Sequence, residues 1–299
     1  MNIFTNKMER SCHDMSYRKP EEIAHITAAM GEKKANMRPL QACTLGFLAG
    51  AFIALGFLLY LRVAASVPAA WSGLGSFLGA ALFPIGLILT IIAGGELLTG
   101  NMMAVPLARL QGKITAKQLT VNWLLITLSN FAGALFVAYL FGHVVGLTEA
   151  EPYLSKLVKV AGAKLDESFL QAFISGIGCN WLVALAVWLA YGADDVAGKM
   201  LGIWFPTMTF VAIGFQHVVA NMFLIPAAIF AGHYTWWEYL GNFVPVFLGN
   251  AVGGSIFVAT AYWIAYLRAK EKAVQNREAA LPQPMPQSTS ERAMAEGKA

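Results

Sequence analysis

Long apolar runs separated by short polar breaks occupy 40–61, 74–110, 121–145, 169–191, 200–230 and 240–267 of the 299 residues. About twenty apolar residues suffice for a helix to cross the roughly 30 Å hydrocarbon core, so each run predicts a membrane span. The second run is too long for one straight helix, and Gly and polar residues interrupt it at 94–99. The fifth is interrupted in the same way at 213–217. Unpaired backbone groups cannot face lipid, so such breaks are tolerated only where protein or a water-filled cavity covers them.

The two breaks are copies. A shift of 120 positions pairs Gly94 with Gly214, Asn101 with Asn221 and Met102 with Met222. It also pairs Pro106 with Pro226, Gly112 with Gly232, Thr115 with Thr235, Asn122 with Asn242, Asn130 with Asn250, and Gly133 with Gly253. Six spans in two copies of three require the second copy to start from the opposite face, because three is odd. The fold class predicted is an all-α membrane protein of two inverted three-helix repeats, with the second and fifth helices broken. Paired interruptions of this kind mark a transporter's central site. The expected division is an N-terminal extension with a helix on the membrane surface (1–38), a six-span domain (39–268) and a disordered tail (269–299). Within the domain, repeat one covers about 39–146 and repeat two about 165–268. The stretch between them reads as a polar loop.

Composition agrees: 57% of residues are hydrophobic, 13% charged, and mean hydropathy is +0.57. A soluble domain is about one-quarter charged, and barrel strands give alternating segments of about ten residues. Residues 1–35 contain no apolar core of a signal peptide. Arg109, Lys113 and Lys117 follow the second run, and further Lys and Arg flank the first and sixth, so both termini are expected in the cytoplasm. The formal charge of +4 resides at the ends and in short loops and points to no nucleic acid. Cys12, Cys43 and Cys179 have no metal spacing. No cofactor is implied.

Half-helices starting near Gly100 and Val219 would present free N–H groups and positive dipole ends at mid-membrane, a setting for a small anion. Gly94, Gly95, Gly214, Asn101 and Asn221 build the breaks. His217 is the ionisable candidate at membrane depth, able to donate a hydrogen bond or a proton; a histidine satisfied by Asn180 or Asn221 is the alternative. Its repeat counterpart is Leu97. Thr99 either caps the half-helix or contacts the permeant. Glu96 would repel an anion and is expected to turn into the protein. Lys164 is either a source of positive potential at a mouth or a solvated loop lysine. Leu87, Leu97, Phe83 and Phe210 flank the breaks as constrictions or as plain packing.

The segments GGELLTGN, SGIGCNWLVALAVWLAYG, GFQHVVANMFLIPAAIF and NFVPVFLGNAVGG closely resemble the formate–nitrite transporter family over about 20–268. The resemblance implies an aquaporin-like fold assembled as a homopentamer in the lipid bilayer, with one pore per protomer. It implies a pore histidine at His217 faced by Thr99, with Asn180 as a partner near it. It also implies a vestibule base at Lys164, and constrictions pairing Leu87 with Phe83 and Phe210 with Leu97. Gln216 stands where formate channels often carry Glu, and Leu98 where some carry Phe.

The expectation is a cell-membrane channel or transporter, not an enzyme, for formate, with protonation of the anion at His217. Nitrite or hydrosulfide is the alternative within the family. A water or glycerol channel would show Asn-Pro-Ala at both breaks, where this chain has Gly-Asn-Met and Ala-Asn-Met.

Overall fold

The computed structural model describes residues 17–269. The expected disordered tail and the first sixteen residues lie outside them, apart from Ala269. Ten helices carry the described chain: α1 Pro20–Ala35, α2 Pro39–Ser66, α3 Ala69–Gly94, α4 Leu98–Leu110, α5 Ala116–Val144, α6 Tyr153–Leu165, α7 Phe169–Gly192, α8 Val196–Ile213, α9 Val218–Phe230 and α10 Trp236–Leu267. Six of them (α2, α3, α5, α7, α8 and α10) are long and apolar enough to cross a membrane. The chain is a multi-pass membrane protein. Leu124, Leu128, Phe205 and Trp237 are among the large apolar side chains left on its outside.

The two copies fold alike. Gly94 and Gly214 both take positive φ, +107° and +89°, a conformation that a side chain at these positions would strain. Thr115 and Thr235 both cap a third span, each accepting from the backbone N–H three residues on while Gln118 or Glu238 reaches back. Small residues let the first and third spans of each copy meet backbone to backbone. A Cβ on Gly133 would lie 1.9 Å from the Phe47 carbonyl oxygen, and one on Gly253 2.5 Å from that of Ile177.

Two stretches are more deeply packed than the sequence pattern suggests. The helix α1 is not free of the bundle: Ile23, Ala24, Thr27, Ala28 and Gly31 are buried. A Cβ on Gly31 would meet the Ala104 carbonyl oxygen at 1.9 Å, so α1 seats directly on the backbone of α4. Its small face, rather than a strong apolar stripe, is what docks. The stretch between the repeats is likewise no loop. It forms α6, whose Leu157, Ala161 and Lys164 are buried.

These two helices correspond to each other, so the duplication reaches beyond the six spans. Asn122 Nδ2 donates to the Lys34 carbonyl at 3.1 Å, and Asn242 Nδ2 donates to the Lys164 carbonyl at 2.9 Å. Each repeat consists of a short helix, a span, a broken pair and a second span.

Candidate permeation site between the helix breaks

Each break is held open by one asparagine from the third span of its own repeat. Asn130 accepts the Leu98 N–H at 2.9 Å and donates to the carbonyls of Gly46 and Glu96, both at 2.8 Å. Asn250 repeats the arrangement on Val218, Gly176 and Gln216, each at 2.9 Å. Backbone groups freed by the Gly kinks would otherwise be stranded at membrane depth, at about 1–3 kcal/mol apiece. The half-helices begin at Leu98 and Val218, a residue or two earlier than the sequence pattern suggested.

The breaks meet at a histidine and a threonine. His217 Nε2 and Thr99 Oγ1 are 3.0 Å apart, and the two residues are 2% and 0% exposed. The other ring nitrogen, Nδ1, accepts the Ala220 N–H at 3.0 Å, so His217 caps α9 with its own side chain. Because Nδ1 accepts, the neutral ring carries its proton on Nε2 and donates it to Thr99 Oγ1. That leaves the threonine's own hydroxyl hydrogen available.

Asn180 does not bond the imidazole. Its Nδ2 donates to the carbonyls of Thr99, at 3.2 Å, and Asn250, at 2.7 Å, which ties the first break to the scaffold of the second. Asn221, the other amide considered for the histidine, donates to Gln216 and Asn242.

Phe83 and Phe210 meet edge to face with centroids 5.7 Å apart, since α3 and α8 lie against each other. Phe210 in turn stacks on His217 at 5.4 Å. Leu87 and Leu97 are both buried, 1% and 3% exposed.

A cavity of about 70 Å³ opens on the α6 side of His217, lined by Phe57, Tyr60, Val160, Lys164, Phe210 and Phe215 among others. Lys164 is 9% exposed, and its Nζ donates to the carbonyls of Gly214, at 2.5 Å, and Phe215, at 2.9 Å. Burial pushes this lysine below its ordinary range. On the α1 side a larger cavity of about 460 Å³ is lined by Arg18, Met30, Ile91, Tyr191 and Lys199 among others. Glu96 turns into the protein, where both carboxylate oxygens accept from Lys34 Nζ at 2.8 Å and one also accepts from Asn101 at 3.1 Å. Burial alone would pull Lys34 down, but the Glu96 carboxylate overrides it and holds the lysine above its ordinary value. Sequence reading missed Lys34 as part of a break, because 62 positions separate it from Glu96 and nothing local marks the pair.

Among the described residues no group of three or more His, Cys, Asp or Glu side chains converges as a metal site. What the arrangement offers is a pair of aromatic rings beside the histidine, ring and hydroxyl donors between the breaks, and a buried lysine on one side.

Known proteins share this architecture. Residues 21–264 match the family described as Formate/nitrite transporter. A Bacillus subtilis (strain 168) protein named uncharacterized transporter YrhG is 59% identical over 84% of this chain and 95% of its own length. The formate channel BtFdhC of Bacillus thuringiensis is 54% identical over 84% of this chain and 97% of its own. A solved structure titled pentameric formate channel with formate bound superposes with a TM-score of 0.68 at 31% identity, covering 77% of this chain and 98% of its own.

Proposed function

Because the chain belongs to the formate/nitrite transporter family, a family of transporters rather than enzymes, we propose that it carries small monovalent anions, formate foremost, through a pore centred on Thr99 and His217. The contact of His217 Nε2 with Thr99 Oγ1 at 3.0 Å, joining the two breaks, is the observation that carries this reading. The formate channel relatives favour formate over nitrite and hydrosulfide.

The mechanism follows from what a bare anion costs among apolar rings, several kcal/mol or more. Lys164 and the half-helix ends draw the anion in, and Phe83 and Phe210 strip its water. At rest His217 is neutral, with Nε2 donating to Thr99. Protonation of Nδ1, at the cost of the Ala220 bond, makes the ring a cation. The ring then passes its Nε2 proton to the Thr99 hydroxyl, while that hydroxyl hands its own hydrogen to a carboxylate oxygen. The ring returns to neutral and the substrate crosses as the uncharged acid. The protein works as a homopentamer in the cell membrane, with one pore per protomer and inverted repeats. Both described ends, and therefore α1, face the cytoplasm, and α6 faces outward.

The test is flux into liposomes holding pure protein, with formate, nitrite and hydrosulfide compared across a pH series. Formate preference with flux rising as pH falls supports the proposal, and nitrite preference replaces the substrate. A His217→Phe variant that keeps formate flux and its pH dependence removes the protonation mechanism.

A further inference from the structure

Outside the central cavity, three side chains from three helices converge at the rim on the α6 face. Lys156 Nζ donates to Ser76 Oγ at 3.3 Å and stands 5.8 Å from the centroid of the Tyr60 ring. The Tyr60 phenol shares a side-chain hydrogen bond with Ser76. Tyr60 also lines the 70 Å³ cavity together with Lys164 and His217, so the cluster and the cavity have one wall in common.

The helix α6 supplies the alignment. Lys156, Val160 and Lys164 recur at four-residue spacing and therefore share one helix face. Val160 and Lys164 line the cavity, so Lys156 stands above it, about 12 Å up the helix axis from Lys164 at 1.5 Å per residue.

No salt bridge among the described residues compensates the positive charge at this rim, although Glu167 lies near enough to Lys164 to favour its charged form. None of the ion pairs among the described residues includes Lys156, Lys159, Lys164 or Arg62. Of the carboxylates in the connecting segment, Glu149 pairs with His143, and Glu151 accepts from Ser155 at 2.7 Å without contacting Lys156 as an ion pair. Arg62, nearby on α2, lies over the Tyr153 ring at 3.4 Å and donates to the Leu147 carbonyl at 3.2 Å. Burial first, and then the neighbouring Lys159, push Lys156 below the ordinary lysine range. A bound anion would relieve that pressure.

We infer that Lys156, Ser76 and Tyr60 form a docking subsite for a small carboxylate or similar monovalent oxyanion, which the substrate occupies before it reaches Lys164. One oxygen would lie on the Lys156 ammonium. The second would accept from the Ser76 or Tyr60 hydroxyl, displacing part of their mutual hydrogen bonding. The anion then descends past Val160 and the Tyr60 ring to Lys164. The subsite concentrates substrate at the mouth, whereas discrimination belongs to the rings and His217 below. The inference rests on the anion-transport reading above.

Formate flux entering from each face, measured in oriented vesicles against concentration and salt, tests it. For Lys156→Gln, the KM for flux entering from the α6 face should rise by about five-fold and lose most of its salt dependence. The same KM from the α1 face should hold, and Lys156→Arg should restore the wild-type value. Ser76→Ala, which keeps the charge, should raise the α6-face KM by about two-fold; this variant decides the matter if Lys156→Gln fails to assemble. Wild-type KM and salt dependence in Lys156→Gln or, in its absence, in Ser76→Ala overturn the subsite while leaving anion transport intact. A wild-type protein that carries no formate overturns both.

Discussion

At the first break Lys34 reaches across to Glu96 with both oxygens at 2.8 Å; at the second, the corresponding place holds Lys164 and Gln216. The amide of Gln216 donates to the Lys164 carbonyl at 3.0 Å and accepts from Asn221 at 2.7 Å, so it completes the network without supplying a charge. Lys164 turns instead to the carbonyls of Gly214 and Phe215, just past the end of α8. The carbonyls that close a helix carry partial negative charge, enough to seat an ammonium but not to cancel it. One copy is thus closed as a neutral ion pair, and the other retains a cation beside the central histidine. The two copies share a scaffold and differ by a carboxylate at Glu96 against an amide at Gln216, so that Lys34 is held in an ion pair and Lys164 is held by carbonyls.

The comparison breaks most severely at Glu96. Glu96→Gln leaves Lys34 charged and buried without its partner, an expected loss of about 3–5 kcal/mol, read as a lower melting temperature of the detergent-solubilised protein. Replacing Lys34 and Glu96 together by Met should recover most of the loss. Full stability of the single variant would mean that the pair anchors nothing.

Asn130→Ala and Asn250→Ala sharpen the comparison from the other direction. Each side chain makes three hydrogen bonds at equivalent positions, so each variant strands buried backbone groups worth about 1–3 kcal/mol apiece. The two drops in melting temperature should match closely. A large inequality would show that the breaks differ in mechanics as well as in charge.

The smallest effect is expected from making the halves alike. Gln216→Glu would give Lys164 a counter-charge, lower anion uptake from the α6 face several-fold, and raise the lysine's pKa. In the wild type burial lowers that pKa, so the attraction fades, as pH rises, sooner than an ordinary lysine would allow. In Gln216→Glu whatever fall remains should move to higher pH. Flux at a series of alkaline pH values measures the shift, and an unmoved profile would detach Lys164 from uptake.

Spans, breaks and duplication were legible in the sequence because burial in lipid forces long apolar runs, and because Gly94, Gly214, Asn130 and Asn250 perform the same backbone task twice. The helix α6 was not legible. Its thirteen residues mix Lys156, Lys159 and Lys164 with short apolar positions, and its docking surface lies on the break of its own repeat, about fifty positions further along the chain. The seat of α1 on α4 was hidden as well, because Ala24, Ala28 and Gly31 make it by closeness rather than by apolar bulk. At the site, His217 and Thr99 could be named from their place at the breaks. The meeting of Phe83 with Phe210 depends on how one repeat faces the other, and neither local spacing nor family resemblance supplied it.

The half-helices α4 and α9 have a further consequence, for biogenesis. Thirteen residues rise only about 20 Å, too little to cross the bilayer alone, so neither segment can be inserted and left to wait as a finished element. Each needs an asparagine that is synthesised later, Asn130 for the first and Asn250 for the second. The ribosome therefore completes a break only when the last span of its repeat emerges. The unit that matures in the membrane is the whole repeat rather than the single helix.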